Sequence, residues 1–159
     1  MKLTSMRKWF NAELRKFAPK ITGSVLNVGA GDDIDNEGGH YRDYFTGATK
    51  YHTVDTNGKC DYKTIVSVSD PYDNVLSFWV LEHVFYFMNH IHEIGLHARK
   101  RLIIAVPTKY PYHPAPGDYW RFTHEAMEKL LEPFFAIEYM SKFDDGKDMA
   151  GIFAVARRK

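Results

Sequence analysis

Five short runs of apolar and β-branched residues recur along the chain, and they constrain its fold more than any other feature. The runs occupy residues 24–28, 51–54, 64–68, 74–78 and 101–106. Runs of this length and composition are typical of strands that are buried on both faces, as the strands of a parallel sheet are. The sequence therefore predicts a parallel sheet that is covered by helices on both sides.

Helical patterns lie before, between and after these runs. Apolar residues at helical spacing predict one helix that ends before Pro19 and another over 81–99. Thr123 can cap a third helix over 124–131. The segment 32–50 should hold the first crossover helix, but its glycines and weak periodicity predict a shortened crossover instead.

Two further strands close the chain. Residues 135–140 and 151–156 are joined by a polar turn, which predicts an antiparallel pair. We expect a three-layer α/β domain of Rossmann-like architecture, in which a mostly parallel sheet ends in a C-terminal antiparallel hairpin. The length of 159 residues suits a single domain, with an N-terminal helix in 1–20 and the core in 21–159.

Composition and charge argue against several classes of protein. The formal net charge of +1 does not favour nucleic acid or an anionic membrane as a partner. Cys60 is the one cysteine, which is typical of a protein in a reducing compartment. No apolar stretch is long enough for a membrane span, and the first residues lack the apolar core of a secretory signal. We therefore expect a cytoplasmic protein.

A glycine-containing turn, 29–31, follows the first predicted strand directly. Glycine lets the backbone turn tightly and approach a ligand closely. The full dinucleotide fingerprint would place a third glycine near position 34, which is Ile34, and the chain continues instead with Asp32 and Asp33. Two carboxylates would repel a pyrophosphate, whereas they suit the sulfonium and ammonium groups of S-adenosyl-L-methionine.

An acidic residue, Asp55, ends the second predicted strand, 24 residues after Gly31. This spacing is close to that of the acid that accepts hydrogen bonds from ribose hydroxyls in related folds. The alternative to this ribose-binding role is that Asp55 only stabilises a turn or caps a helix.

The fourth and fifth predicted strands also lead into candidate site segments. Glu82 and His83 follow the fourth strand, so they belong to the edge at which open α/β sheets bind ligands. The fifth strand is followed by the segment 107–122, which is rich in proline and aromatic residues and predicts a binding loop.

Four segments in series resemble class I S-adenosyl-L-methionine-dependent methyltransferases, specifically their type 11-like group. They are residues 25–31, Asp55, residues 80–84, and residues 113–116 with 118–123. The resemblance spans roughly residues 25–135, and it implies the methyltransferase version of the expected fold. Two departures are Asn27, where the family often has an acid, and Asp33, where it often has another glycine.

The resemblance also implies roles for individual residues. The glycine turn would contact the methionine portion of the cofactor, Asp55 the ribose, and Asp70, which follows the third predicted strand, the adenine amine. The implied cofactor-binding residues are Gly29, Ala30, Gly31, Asp55, Thr56, Asp70, Trp79, Val80 and Leu81. The implied acceptor-binding residues are Tyr112, His113, Asp118, Tyr119 and Arg121.

His113 and His83 are the candidate catalytic bases, because a free imidazole titrates near neutral pH. The alternative for each is a structural role, in which the histidine orients its loop. Asp118 and Arg121 could likewise clamp the substrate or form an ion pair that anchors the loop. Three histidines within 90–97 do not have the spacing of a shared ligand set, so no metal site is expected.

The sequence favours methyl transfer to a small-molecule acceptor. An alternative is a degenerate cofactor-binding or partner subunit without independent activity, which the altered glycine motif and shortened crossover suggest. Methylation of nucleic acid or protein has only the basic first helix in its favour. The acceptor and the oligomeric state are not specified by the sequence.

Overall fold

A single six-stranded sheet runs through the computed structural model, which describes residues 3–114 and 116–159. The run 113–116 therefore lies partly outside the described residues. The spatial order of the strands is β2-β1-β3-β4-β6-β5. The strands are β1 (Gly23–Val28), β2 (Ala48–Val54), β3 (Tyr72–Phe78), β4 (Ala98–Lys109), β5 (Phe135–Asp144) and β6 (Ala150–Arg158).

The first four strands are parallel, and β6 lies antiparallel between β4 and β5. This confirms the expected mixed sheet with a C-terminal antiparallel pair. Strand β4 continues past Pro107, whereas the sequence predicts that it ends at residue 106. The pairing of β4 with β6 shifts register after Pro107, so the strand tolerates the N–H group that proline lacks.

In the described part of the chain, three α-helices flank the sheet: α1 (Ser5–Phe17), α2 (Phe87–His97) and α3 (His124–Leu131). The hydroxyl of Thr123 accepts a hydrogen bond from the backbone N–H of Ala126 at 3.1 Å, so the predicted cap of α3 is confirmed. Helix α2 begins later than predicted, because residues 81–83 form a short 3₁₀ turn before it.

Alternating residues of the central strands separate the core into two layers. In β3, Val75 and Leu76 are both fully buried, but they point to opposite faces of the sheet. Leu76 packs in the layer under α1, with Phe10 and Leu14. Val75 packs in the layer under α2 and α3, where Ile94 is also fully buried. The protein therefore has the three layers that the sequence predicts.

The predicted strand over 64–68 was wrong, because this segment forms a 3₁₀ turn (Ile65–Ser67). Ile65 and Val68 are buried three residues apart, which matches the three residues per turn of a 3₁₀ helix. Val66, between them, is 75% exposed, so the segment does not present the buried faces of an inner strand. Strand β2 is consequently the edge of the sheet.

The first crossover, between β1 and β2, contains a 3₁₀ turn (Tyr41–Tyr44) in place of an α-helix, as the sequence predicts. Among the described residues, no helix is long and apolar enough to cross a membrane.

Candidate functional site

The carboxyl ends of the parallel strands bring most of the predicted site residues to one edge of the sheet. The glycine turn follows β1, Asp55 follows β2, and Trp79 follows β3. The long loop 110–123 follows β4 at the same edge. Open α/β sheets bind their ligands at this edge.

The glycine turn has two residues that need glycine for different reasons. Gly29 has a φ of +74°, and a Cβ atom there would lie 2.3 Å from Cγ2 of Val80. Gly31 has a φ of +56°, and a Cβ atom there would have no heavy atom of the described residues within 4 Å. The start of the turn is thus packed closely against the loop that follows β3 (residues 79–86, the β3 loop), and the tip of the turn is open.

Asp55 holds this turn in place. Its carboxylate accepts hydrogen bonds from the backbone N–H of Gly31 at 2.9 Å and from that of Asn57 at 3.0 Å. The side-chain amide of Asn57 donates to the carbonyl of Gly31 at 2.8 Å. Each carboxylate oxygen can accept a second hydrogen bond, so Asp55 retains acceptor capacity for hydroxyl groups.

The two departures from the family pattern contact each other. The side-chain amide of Asn27 donates to the carboxylate of Asp33 at 2.9 Å, and the hydroxyl of Tyr51 donates to the same oxygen at 2.9 Å. Asp33 has a φ of +57°, a conformation that Asp and Asn adopt more readily than most residues. The carboxylate of Asp33 thus joins Asn27 of β1 to Tyr51 of β2.

A small polar cleft of about 220 Å³ lies beside the turn. The exposed carboxylate of Asp32 pairs with Lys59 at 2.9 Å along its rim. The residues lining it are Gly31, Asp32, Asp33, Arg42, Thr53, Lys59 and Cys60.

The remaining predicted cofactor residues differ in their placement. Trp79 has a φ of +60°, and its ring packs against Phe10 of α1, with the centroids 5.5 Å apart. Val80 lies over the glycine turn, Leu81 is fully buried in the core, and Thr56 is exposed beside Asp55.

Asp70 is not brought to this edge. It lies two residues before β3 begins, whereas the site lies beyond the end of that strand. Seven residues of extended chain separate the two edges by roughly 20 Å. The expected contact between Asp70 and the adenine amine is therefore not compatible with this placement.

Asp118 and Arg121 form an ion pair that anchors the β4 loop. Nη1 and Nη2 of Arg121 donate to the two carboxylate oxygens of Asp118 at 2.5 and 2.8 Å, and Nη2 also donates to the carbonyl of Tyr110. The Asp118 side chain is only 1% exposed. The adjacent guanidinium holds the pKa of Asp118 far below its usual range. Tyr112 and Tyr119 are exposed on the same loop.

His83 and His113 meet between the β3 and β4 loops. Their Nε2 atoms lie 3.3 Å apart. Nδ1 of His113 lies 3.3 Å from Oδ2 of Asp118, and Nδ1 of His83 contacts the carbonyl of Gly117. The structure thus joins both candidate bases and the ion pair in one cluster.

Glu82 is a site residue to which the sequence analysis gave no role. Its side chain is 3% exposed, and Oε1 lies 3.8 Å from Nε2 of His83. Oε2 is buried and has no hydrogen-bond partner among the described residues. Burial raises the pKa of Glu82 to about 8. The available signal was a charged residue in the short segment that follows a buried strand.

No protein-family model matches the chain, and no curated protein matches its sequence. Solved structures do match its fold. The N-methyltransferase NodS from Bradyrhizobium japonicum WM9, in complex with S-adenosyl-L-homocysteine, has a TM-score of 0.72 at 8% identity, covering 98% of this chain and 88% of that one.

Two further methyltransferase structures also have a similar fold. The 1,6-didemethyltoxoflavin-N1-methyltransferase of Burkholderia thailandensis has a TM-score of 0.69 at 15% identity, covering 100% of this chain and 92% of that one. The magnesium protoporphyrin IX methyltransferase (ChlM) of Synechocystis PCC 6803, with bound S-adenosyl-L-methionine, has a TM-score of 0.66 at 14% identity, covering 97% and 78%. The chain therefore has the Rossmann-like fold of these methyltransferases.

Proposed function

We propose that the protein is an S-adenosyl-L-methionine-dependent methyltransferase that acts on a small-molecule acceptor. The observation that carries this proposal is the contact between Asp55 and Gly31, at the ligand-binding edge of a methyltransferase-type sheet. The similar structures of NodS and ChlM contain S-adenosyl-L-homocysteine and S-adenosyl-L-methionine, which supports the choice of cofactor.

The residues at this edge suit the cofactor. The open tip of the turn at Gly31 leaves room for a ligand, and Asp55 has unused acceptor capacity for the two ribose hydroxyls. We assign the methionine portion to residues 29–31, the ribose to Asp55 and Thr56, and the surroundings of the methyl group to residues 79–81. The carboxylate of Asp32 lies at the rim beside this turn, where it is paired with Lys59.

The bound cofactor supplies a methyl group that is activated by its sulfonium. The protein's own contribution is to align the acceptor for in-line displacement and to exclude water. His113 and His83 are placed to take a proton from an accepting oxygen or nitrogen, because their Nδ1 atoms already face oxygen atoms, which leaves their Nε2 atoms to accept the proton. Asp118 and Arg121 position His113, and Tyr112 and Tyr119 form the exposed wall of the acceptor site.

The test is methyl transfer from labelled S-adenosyl-L-methionine to a panel of small acceptors that carry hydroxyl, amine or carboxylate groups. We expect turnover with at least one class, and we expect His113→Gln to lower kcat by about 100-fold or more while the affinity for S-adenosyl-L-homocysteine stays unchanged. Equal kcat in His113→Gln would remove the histidine pair from the mechanism. Cofactor binding without turnover on any acceptor would favour the non-catalytic partner subunit.

A further inference from the structure

The two histidines of the site face each other in an arrangement that neutral imidazoles do not favour. Nδ1 of His113 lies 3.2 Å from the carbonyl oxygen of Pro111 and 3.3 Å from the carboxylate of Asp118. Nδ1 of His83 contacts the carbonyl oxygen of Gly117. A ring nitrogen that faces these oxygens donates a proton, so in each neutral ring the lone pair is on Nε2.

Two Nε2 lone pairs therefore converge across a distance of 3.3 Å. The rings are perpendicular, with an interplanar angle of 89°. Such a pair needs a positive charge between the two nitrogens, either a proton or a cation. Two imidazole nitrogens that bind one tetrahedral metal ion, each at about 2.05 Å, lie about 3.3 Å apart, which is the separation found here.

The carboxylate of Glu82 is the third candidate ligand beside the two histidines. Oε1 of Glu82 lies 3.8 Å from Nε2 of His83, and its other oxygen, Oε2, is buried without a partner among residues 3–114 and 116–159. The 3.8 Å between Oε1 of Glu82 and Nε2 of His83 is about 0.5 Å wider than the separation of two ligand atoms on one tetrahedral ion. Behind His113, the carboxylate of Asp118 lies 3.3 Å from Nδ1 and accepts a hydrogen bond from the backbone N–H of His113, a position that resembles that of the outer carboxylates of metal-binding histidines. Ligand atoms of His83, His113 and Asp118 all lie within 4.8 Å of one another.

We propose that His83, His113 and Glu82 bind a divalent transition-metal cation such as Zn²⁺ or Co²⁺ at the mouth of the site. Asp118 remains an outer partner, because Arg121 already occupies both of its oxygens. Three protein ligands leave positions open for a further ligand. The inference deepens the proposed function, on which this role rests: when the cation is bound, the two Nε2 atoms are ligands rather than bases, and an open position can bind the accepting hydroxyl and lower its pKa.

The test is a titration of tag-free, chelator-treated protein with Co²⁺ and then Zn²⁺, without cofactor or acceptor. We expect one Co²⁺ per chain, visible absorption bands of low-symmetry Co²⁺, and displacement by Zn²⁺. His113→Gln and Glu82→Gln should each weaken binding by at least about tenfold. His92→Gln, which changes an exposed histidine of α2, should bind as tightly as the wild type.

Each variant is first checked for folding by circular dichroism, and His113 serves as the main test because its side chain is 39% exposed and therefore tolerant of substitution. The inference is overturned if the folded wild type binds no stoichiometric Co²⁺, or if His113→Gln binds it with unchanged affinity. Neither result depends on S-adenosyl-L-methionine, so failure here is separable from failure of the proposed methyl transfer.

Discussion

Gly29→Ala is expected to lower the free energy of unfolding by about 3 kcal/mol. Two costs combine in this substitution. The φ of +74° is strained for any residue with a Cβ atom, at a cost of about 1 kcal/mol. The added Cβ would also lie 2.3 Å from Cγ2 of Val80, and overpacking of this kind costs about 1–3 kcal/mol. Urea denaturation followed by fluorescence measures the change.

The chain offers a matched control for this prediction in Gly58. Gly58 has nearly the same φ, +76°, but a Cβ atom there would have no heavy atom within 4 Å. Gly58→Ala should therefore cost only about 1 kcal/mol, the backbone part alone. Removing the obstructing methyl groups with Val80→Ala should restore part of the stability of Gly29→Ala. Equal losses in Gly29→Ala and Gly58→Ala would show that the approach of Val80 to the turn is not as close as described.

Arg121→Met is expected to lower the free energy of unfolding by about 3 kcal/mol. The substitution keeps much of the side-chain volume but leaves the carboxylate of Asp118, which is 1% exposed, without its cation. Removing one partner of a buried ion pair costs about 3–5 kcal/mol, and the 27% exposure of Arg121 reduces this somewhat. Chemical denaturation at neutral pH provides the measurement.

Arg157→Met is the comparison variant, because Arg157 forms a surface pair with Glu138 at 3.4 Å and both side chains are at least one-third exposed. Surface pairs contribute at most about 1 kcal/mol. The double variant Asp118→Asn/Arg121→Met should recover much of the loss, since no buried charge then remains. If Arg121→Met is no more destabilising than Arg157→Met, the pair does not anchor the β4 loop.

The parts of the fold that the sequence predicts correctly are those set by local patterns. The central strands are buried on both faces, and a side-chain cap marks the start of α3 at Thr123, so both could be recognised without knowledge of their neighbours. The segment 64–68 could not, because a short apolar run is compatible with a strand or a 3₁₀ turn until its burial is known. This misassignment also affected Asp70, whose expected role assumed an additional strand before it.

In the site, too, the sequence predicts what local patterns determine and not what the packing of separate loops determines. Spacing alone places Asp55 and the glycine turn at one edge, because both follow directly on parallel strands. The pairing of Asn27 with Asp33 and the meeting of His83 with His113 depend on how separate loops pack together. Glu82 was recognised as lying at the edge, but only the structure shows that its carboxylate is buried and lacks a partner.

The most direct test of the central claim is calorimetric titration of the purified protein with S-adenosyl-L-homocysteine, repeated with Asp55→Ala and Asp70→Ala. Asp55 makes hydrogen bonds to two backbone N–H groups and is assigned to the ribose, so its loss should weaken binding by about 100-fold or more. Asp70 lies at the opposite edge of the sheet, so its replacement should leave the affinity unchanged. We expect stoichiometric binding to the wild type, lost in Asp55→Ala and kept in Asp70→Ala. Absence of binding to the folded wild type, or equal affinity in Asp55→Ala, would contradict the account.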